Sequence, residues 1–285
     1  MTGDGSPEDG AGVSRVPERP PVALTVAGTD SGGGAGVPAD LHTFAAHGVW
    51  GTCAVTAVTA QNTVGVDAAE ILPPAIVAAQ IGAVVRDIGV AATKTGMLGD
   101  AAVVEAVAAA VEEWGLHPLV VDPVAVTTTG APLLSPAGLA ALRDRLLPLA
   151  DIVTPNLAEA AALAGWGEMP QDRKGVEAVA EALLSVGPAA VLVTGGHLPG
   201  PDAADLLLGR GAPGGRWLTG PRLDSPNTHG TGCVLAAAVT ARLARGEDLV
   251  QAVEGAKRFV AAAIAAGVRL GAGPGAVNPS GPSPP

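Results

Sequence analysis

Three short strings place reactive or ligand-binding residue types at the entrances of helices. NTHGTGC, Asn227 to Cys233, runs straight into the alanine-rich stretch VLAAAVTARLA. Small residues ahead of a helix leave backbone N–H groups without an intrahelical acceptor, and the positive end of the helix dipole lies beside them. That combination binds anions and suits a phosphoryl group in transit. A thiol at a helix mouth has a lowered pKa, so Cys233 could exist partly as thiolate and act as a base; the alternative is a small buried apolar residue. In DIVTPNLAEAAAL, Asn156 and Glu159 stand three apart at a strand-to-helix switch. They read either as a helix cap with a first-turn acid or as oxygen ligands holding Mg²⁺ through water.

The third string, GTDSGGGAGVPADLHTF, contains Gly34-Ala35-Gly36-Val37-Pro38-Ala39, which fits a G-x-G-x-x-A dinucleotide fingerprint. That reading requires an acid about 20 residues on to hold a ribose hydroxyl. The corresponding region is TCAVTAVTAQN, which has none, so an NAD-dependent dehydrogenase is disfavoured. No Gly-Lys-Ser/Thr follows the glycines, so this is not a Walker A loop. The loop is either a flexible tight turn or a place where backbone approaches a small ligand closely.

The elements that must carry these strings alternate. Val-rich runs read as strands: PVALTVAG, CAVTAV, VAATKTG, PLVVDPV, DIVTPN and AAVLVTGG. Between them, ADLHTFAAHG, PPAIVAAQIGAVVRDIG, DAAVVEAVAAAVEEWG and SPAGLAALRDRLLPLA repeat apolar residues at helical spacing. Strands that are apolar throughout predict a mostly parallel sheet covered on both faces, a three-layer α/β/α domain. Such sheets bind ligands at the carboxyl ends of their strands, so active groups are expected on loops there; the first glycine loop follows strand one, and Asn156 and Glu159 stand at a strand-to-helix switch. No repeat at a fixed period is visible.

Composition sets the remaining bounds. Of 285 residues, 48% are hydrophobic but only 2% aromatic, so the core is built from Ala, Val, Leu and Ile. A formal charge of -11 without a basic cluster opposes nucleic-acid binding. Apolar runs are broken well before the ~18 residues of a membrane span. Residues 1–20 and 271–285, rich in Pro, Gly and Ser, are expected to be disordered tails around a folded unit at 21–270. The two cysteines, Cys53 and Cys233, are far apart and fit a reducing cytoplasm. The five histidines show no HxxxH or HExxH spacing, which argues against a protein-ligated transition metal.

Taken together and in order, AGTDSGGGAGVPADLHTFAAHG, TAVTAQNT, TKTGMLGD, VVDPV, LLSPAGL, TPNLAEAAAL, VTGGHL and NTHGTGC resemble the hydroxymethylpyrimidine/phosphomethylpyrimidine kinases of thiamin synthesis, in the ribokinase-like superfamily. The resemblance implies ATP- and Mg²⁺-dependent phosphorylation of a small-molecule pyrimidine on its hydroxymethyl group, then of the monophosphate. It assigns the pyrimidine to Gly28, Asp40 and Gln61, with Met97 and Val124 nearby. Gly230, Thr231, Gly232 and Cys233 become the anion hole, Cys233 standing where related sugar kinases carry an aspartate base. The nucleotide falls to Thr194, Gly196 and Thr228, with Lys257 a weak addition. Asn156, Glu159 and Asp122 would serve Mg²⁺ through water. A homodimer is implied as well.

Three departures from the family pattern matter. Thr194 stands where many relatives have lysine, which removes a positive charge near the expected nucleotide. The loop after Asp122 carries Ala125, Thr127 to Thr129 and Ala131 in place of the usual Met, Lys or Ser and Asp. Pro38 replaces a common glutamine, benign in a first helical turn. Pyridoxal kinase of the same superfamily is the nearest competitor, although the lid lacks the additional cysteine that some relatives use on pyridoxal. A non-catalytic pyrimidine or nucleotide binder is the alternative of a different class; the intact GTGC loop argues against it.

Overall fold

The computed structural model describes residues 19–125, 133–196, 198–210 and 214–281. An eight-stranded sheet runs in the order β10-β9-β8-β7-β6-β5-β1-β2. Its strands are β1 (Val22–Ala27), β2 (Trp50–Val55), β5 (Ala92–Thr95), β6 (Leu119–Val121), β7 (Ile152–Val153), β8 (Ala190–Val193), β9 (Asp202–Gly209) and β10 (Arg216–Pro221). β2, β1, β5, β6, β7 and β8 are parallel neighbours, whereas β9 and β10 are antiparallel. The expected α/β architecture with a mostly parallel sheet is therefore present.

Alternation along the strands builds two cores. Leu24, Val26, Val121, Val153, Val191 and Val193 face one layer of helices: α2 (Pro74–Asp87), α3 (Ala101–Trp114), α4 (Pro136–Ala141), α5 (Leu157–Ala164) and α6 (Arg173–Val186). Ala23, Val120, Ile152, Ala190 and Leu192 face the other: α1 (Gly36–Ala46), α7 (Thr231–Ala244) and α8 (Leu249–Ala265). The second layer is rich in alanine, so α7 lies close against the sheet beneath the anion loop.

Four sequence expectations change. CAVTAV is not one strand: Thr56 breaks it, its N–H donating to Ala27 O (3.0 Å) and its hydroxyl to Met97 O (2.6 Å). Beyond that break, β3 (Ala57–Asn62) pairs with β4 (Gly65–Ile71) as a separate antiparallel hairpin standing at the sheet's edge. The helix expected over Ser135–Ala150 ends at Ala141 and continues as a π turn and a 3₁₀ turn, because Pro148 lacks the N–H that an α-helix requires there. The β9–β10 hairpin was not anticipated.

The last change is at the carboxyl end. Instead of leaving the body at Leu270, the chain packs back as far as Gly281. Val268 and Ala276 exchange backbone hydrogen bonds, Val277 N–H donates to His229 O (3.1 Å), and Asn278 N–H donates to Ala263 O (3.0 Å). Val277 is only 4% exposed. Among the described residues no helix is long and apolar enough to cross a membrane.

Candidate active site

The three strings converge at the carboxyl ends of β1, β6, β7 and β8. Most helices begin with a side chain that occupies their free N–H groups: Asp100 caps α3, Ser135 α4, Asn156 α5, Asp172 α6 and Asp248 α8. α1, α2 and α7 lack such a cap. The N-cap of α7 is Gly230, which brings no side chain, so the first-turn donors of Gly232 and Cys233 remain available to an anion. Gly230 adopts φ +83°, and a Cβ there would overlap the Gly34 carbonyl, so only glycine lets the two loops meet.

That contact explains the glycines of the first loop. Gly36 has φ +57° and its missing Cβ leaves room for Gly28 O, which accepts Val37 N–H at 3.0 Å. Gly36 N–H in turn points at the Cys233 thiol. Gly28 lies against Met97: its N–H donates to Met97 O (3.1 Å), and any side chain at position 28 would collide with the Met97 methyl. Gln61 reaches the same loop through its backbone, donating to Ser31 Oγ (2.9 Å), while Ser31 Oγ donates to Thr59 O (2.6 Å). Gly28, Met97, Gln61 and Cys233 are thus each tied to the first glycine loop. Val124 has φ +39°, a strained backbone for a β-branched residue.

Asp40 and Asp122 share a buried charge cluster with Lys94, which sequence reasoning missed. Lys94, on β5, is fully buried, with Nζ 2.9 Å from Asp40 and 3.9 Å from Asp122. Thr25 Oγ1 donates to the same Asp40 oxygen (2.6 Å). Asp40 is also fully buried, and its Oδ1 has no partner. Burial raises the Asp40 and Asp122 carboxyls, and the Lys94 ammonium opposes both shifts. Lys94 itself is raised: burial works against its charge, but Asp40, Cys233 and Asp122 outweigh that cost.

Cys233 departs from expectation. Burial pushes its thiol up to about 12, Asp122 and Asp40 add to the rise, and the Lys94 ammonium and Gly36 N–H work against it. Although Cys233 keeps partial exposure, a thiol raised in this way is poorly suited to act as a base near neutral pH.

The residues assigned to Mg²⁺ separate into two kinds. Asn156 and Glu159 form a complete capping box: Asn156 Oδ1 accepts Ala158 and Glu159 N–H, and Glu159 Oε2 accepts Asn156 N–H at 3.0 Å. Glu159 Oε1 accepts Ala125 N–H as well (3.1 Å), so each of its oxygens holds one backbone N–H and it anchors the loop after β6. Asp122, in contrast, keeps Oδ2 buried without a hydrogen bond, with Lys94 Nζ 3.9 Å away. Among the described residues no group of three His, Cys, Asp or Glu could hold a metal directly. This donor set fits an ion carried mainly by phosphate oxygens and waters, with Asp122 as the protein's contact.

Of the residues expected to hold the nucleotide, Thr194 pairs with Asn156 as a parallel bridge and donates N–H to Pro155 O (2.9 Å). Gly196 and Thr228 are exposed. Lys257 is tied to Asp205 (2.5 Å), whose other oxygen accepts Gly195 N–H (2.9 Å), so it braces the glycine loop from behind. Arg222, also missed, donates to the carbonyls of Gly196, Leu198, Gly200 and Asp202. A cavity of about 290 Å³ adjoins this loop at Arg173 and Leu198–Asp202 and includes none of the residues expected to hold the pyrimidine. Thr127 to Thr129 and Ala131 lie outside the described residues.

A family model described as phosphomethylpyrimidine kinase matches residues 30–278. The chain belongs to the phosphomethylpyrimidine kinase family. It is 49% identical over 262 residues to the hydroxymethylpyrimidine/phosphomethylpyrimidine kinase of Streptomyces coelicolor, covering 92% of this chain and 95% of that one. The enzyme of the same description from Rhizobium meliloti is 47% identical, covering 89% and 94%. Among solved structures, the ADP complex of Bacillus subtilis pyridoxal kinase matches with a TM-score of 0.85 at 34% identity, over 92% of this chain and 98% of that one. Clostridium difficile phosphomethylpyrimidine kinase matches at 0.74 and 38%, over 84% and 97%.

Proposed function

We propose that this kinase transfers the terminal phosphoryl group of ATP to the hydroxymethyl oxygen of 4-amino-5-hydroxymethyl-2-methylpyrimidine, and then phosphorylates the monophosphate to the diphosphate, for thiamin synthesis. The observation that carries this reading is the uncapped start of α7, whose N-cap Gly230 meets Gly34 of the same glycine loop that begins at Gly28 and holds Gln61 through Ser31. The substrate oxygen forms a bond to phosphorus as the bond from phosphorus to ADP breaks. Because that transition state is loose, positioning and charge stabilisation contribute most of the catalysis. A strong base is unnecessary, so a neutral Cys233 thiol orients the hydroxyl, and its proton leaves late to solvent or phosphate. The α7 N–H groups stabilise the moving charge. Mg²⁺, bound on the nucleotide with Asp122 as its protein contact, would neutralise phosphate charge.

Gln61 offers an amide edge to the aminopyrimidine, whose donors and acceptors it can complement. Thr194 leaves the nucleotide side without the usual lysine charge. The same reading makes the enzyme a cytoplasmic homodimer; both cysteines are free, and Val58 and Val66 of the β3–β4 hairpin are exposed.

The test is ADP release and product mass with purified protein, Mg-ATP and, in parallel, the hydroxymethylpyrimidine, its monophosphate and pyridoxal. Two additions to the pyrimidine support the proposal. Turnover with pyridoxal alone would assign the chain to the sister kinase, and ligand affinity without ADP would make it a binder.

A further inference from the structure

His229 is a side chain of the NTHGTGC loop that hydrogen-bonds across to the first glycine loop, and the kinase reading leaves it without a task. Its Nε2 lies 2.8 Å from Asp30 Oδ2. Asp30 is only 4% exposed and its carboxyl is held below the usual range: burial opposes this, but the hydrogen bonds from His229, Gly32 and Ala35 and the nearby imidazole prevail. An ionised carboxylate only accepts, so Nε2 carries the proton and donates it.

Three chain segments meet at that ring. Asp30 also accepts Gly32 N–H (2.8 Å) on Oδ1 and its carbonyl accepts Gly33 N–H (2.9 Å), so the same residue shapes the first glycine loop. Gly34 lies under the ring so closely that a Cβ there would come within 2.6 Å of His229 Cδ2 and 3.0 Å of the Ala276 methyl. On the other side, the returning carboxyl-terminal chain grips the backbone of His229: its N–H donates to Gly275 O and its O accepts Val277 N–H, both at 3.1 Å. That chain then ties to the β3–β4 hairpin through Gly273 N–H and Thr63 Oγ1 (3.2 Å). The space left among Asp30, Gly34, Asn62, Thr63, His229 and Ala276 is about 20 Å³, which no substrate enters. This is a packed junction one residue ahead of the helix cap Gly230 and four ahead of Cys233.

We propose that His229 is a positioning residue: through its hydrogen bond to Asp30 it holds the Gly230–Cys233 loop at the distance from the first glycine loop that phosphoryl transfer requires. The pair acts on the anion hole, which is used in the transition state, and leaves the pyrimidine contacts at Gly28 and Gln61 in place. The proposal rests on the kinase reading for its effect on turnover; its effect on loop order stands independently.

Three variants test it by steady-state kinetics and by amide hydrogen exchange of residues 230–233. His229→Ala removes ring and donor, His229→Leu keeps bulk against Gly34 and Ala276, and His229→Gln keeps a donor near the Nε2 position. With Ala and Leu, kcat should fall by about 10- to 100-fold while pyrimidine KM moves less than about threefold, as expected when a transition-state contact is misplaced. Exchange at 230–233 should accelerate by about tenfold or more in the same two variants. With Gln, both readouts should return to within about threefold of the parent. Should Ala fail to fold, Leu against Gln decides alone. Unchanged kcat and exchange in Leu would overturn the proposal, as would equal losses in Leu and Gln, which would leave the ring a packing role only. If the parent protein phosphorylates nothing, the kinase reading fails, and the exchange comparison still decides whether the pair orders the loop.

Discussion

A cysteine at a helix mouth invites assignment as a base, and the surroundings of Cys233 reverse it. The helix end favours thiolate, but burial with Asp122 and Asp40 close by pushes the thiol up to about 12. Alkylation of the free enzyme by iodoacetamide should therefore show no inflection between about pH 7 and 10, whereas an ordinary thiol titrates near 8.5; an inflection near 8 would restore the base. Cys233→Ala should lower kcat by about tenfold or more with pyrimidine KM nearly unchanged, and Cys233→Ser should recover much of the loss, since a hydroxyl can also orient the substrate oxygen. The motif exposed Cys233 in the sequence; its protonation state depends on residues far away in the chain, which no local pattern reports. Lys94 was hidden for a related reason. It lies inside the quoted TKTGMLGD, and the only local sign was a charge in an otherwise uncharged strand. Replacing it by Met strands Asp40 and Asp122 together in the interior, each with an oxygen already lacking a hydrogen bond. The expected cost is about 3–5 kcal/mol in urea unfolding, and a loss under about 1 kcal/mol would show that the carboxyls simply take up protons.

Elements with strong periodicity were legible, and those defined by distant partners were not. α2 and α3 follow their apolar spacing closely, whereas β2 and β3 look like one strand because Val and Ala continue across Thr56; the break is made by Ala27, Met97 and Leu72. The carboxyl-terminal segment GAGPGAVNPSGP has the composition of a disordered tail. Its glycines instead allow close packing, Gly273 against Thr63 and Gly275 against Asn227, and Val277 supplies the buried apolar group. A chain ending at Leu270 loses that burial and the bonds to His229. Burying one valine is worth about 1.5–3 kcal/mol, so the melting temperature should fall by about 5 °C. Turnover should fall more than substrate affinity, because the released loop carries the anion hole. A truncated protein with the parent's melting temperature and kcat would show the segment to be dispensable.

At the scale of the whole molecule, parallel strands covered on both faces set the location of function before any residue is assigned. Every functional string lies at the carboxyl end of the sheet, and the alternation of Leu24 and Val26 with Ala23 and Thr25 sends one set of side chains to each helical layer. The β3–β4 hairpin does not belong to either layer. All seven residues of β4 are exposed, and Val58 and Val66 are 49% and 44% exposed on a two-stranded sheet. Such a pair of strands has little independent stability in water. Covering it with a second copy would remove these valines from solvent and hold Gln61 over the site, which links assembly to substrate binding. Sedimentation at micromolar concentration should give twice the 27.7 kDa chain mass. Val58→Asp, which sets a charge on the outward face of β3, should shift the enzyme toward monomer and raise pyrimidine KM together, because the hairpin that carries Gln61 loses its support. A parent protein that sediments as a 27.7 kDa monomer with full activity would break the link and leave the hairpin supported by the first glycine loop alone.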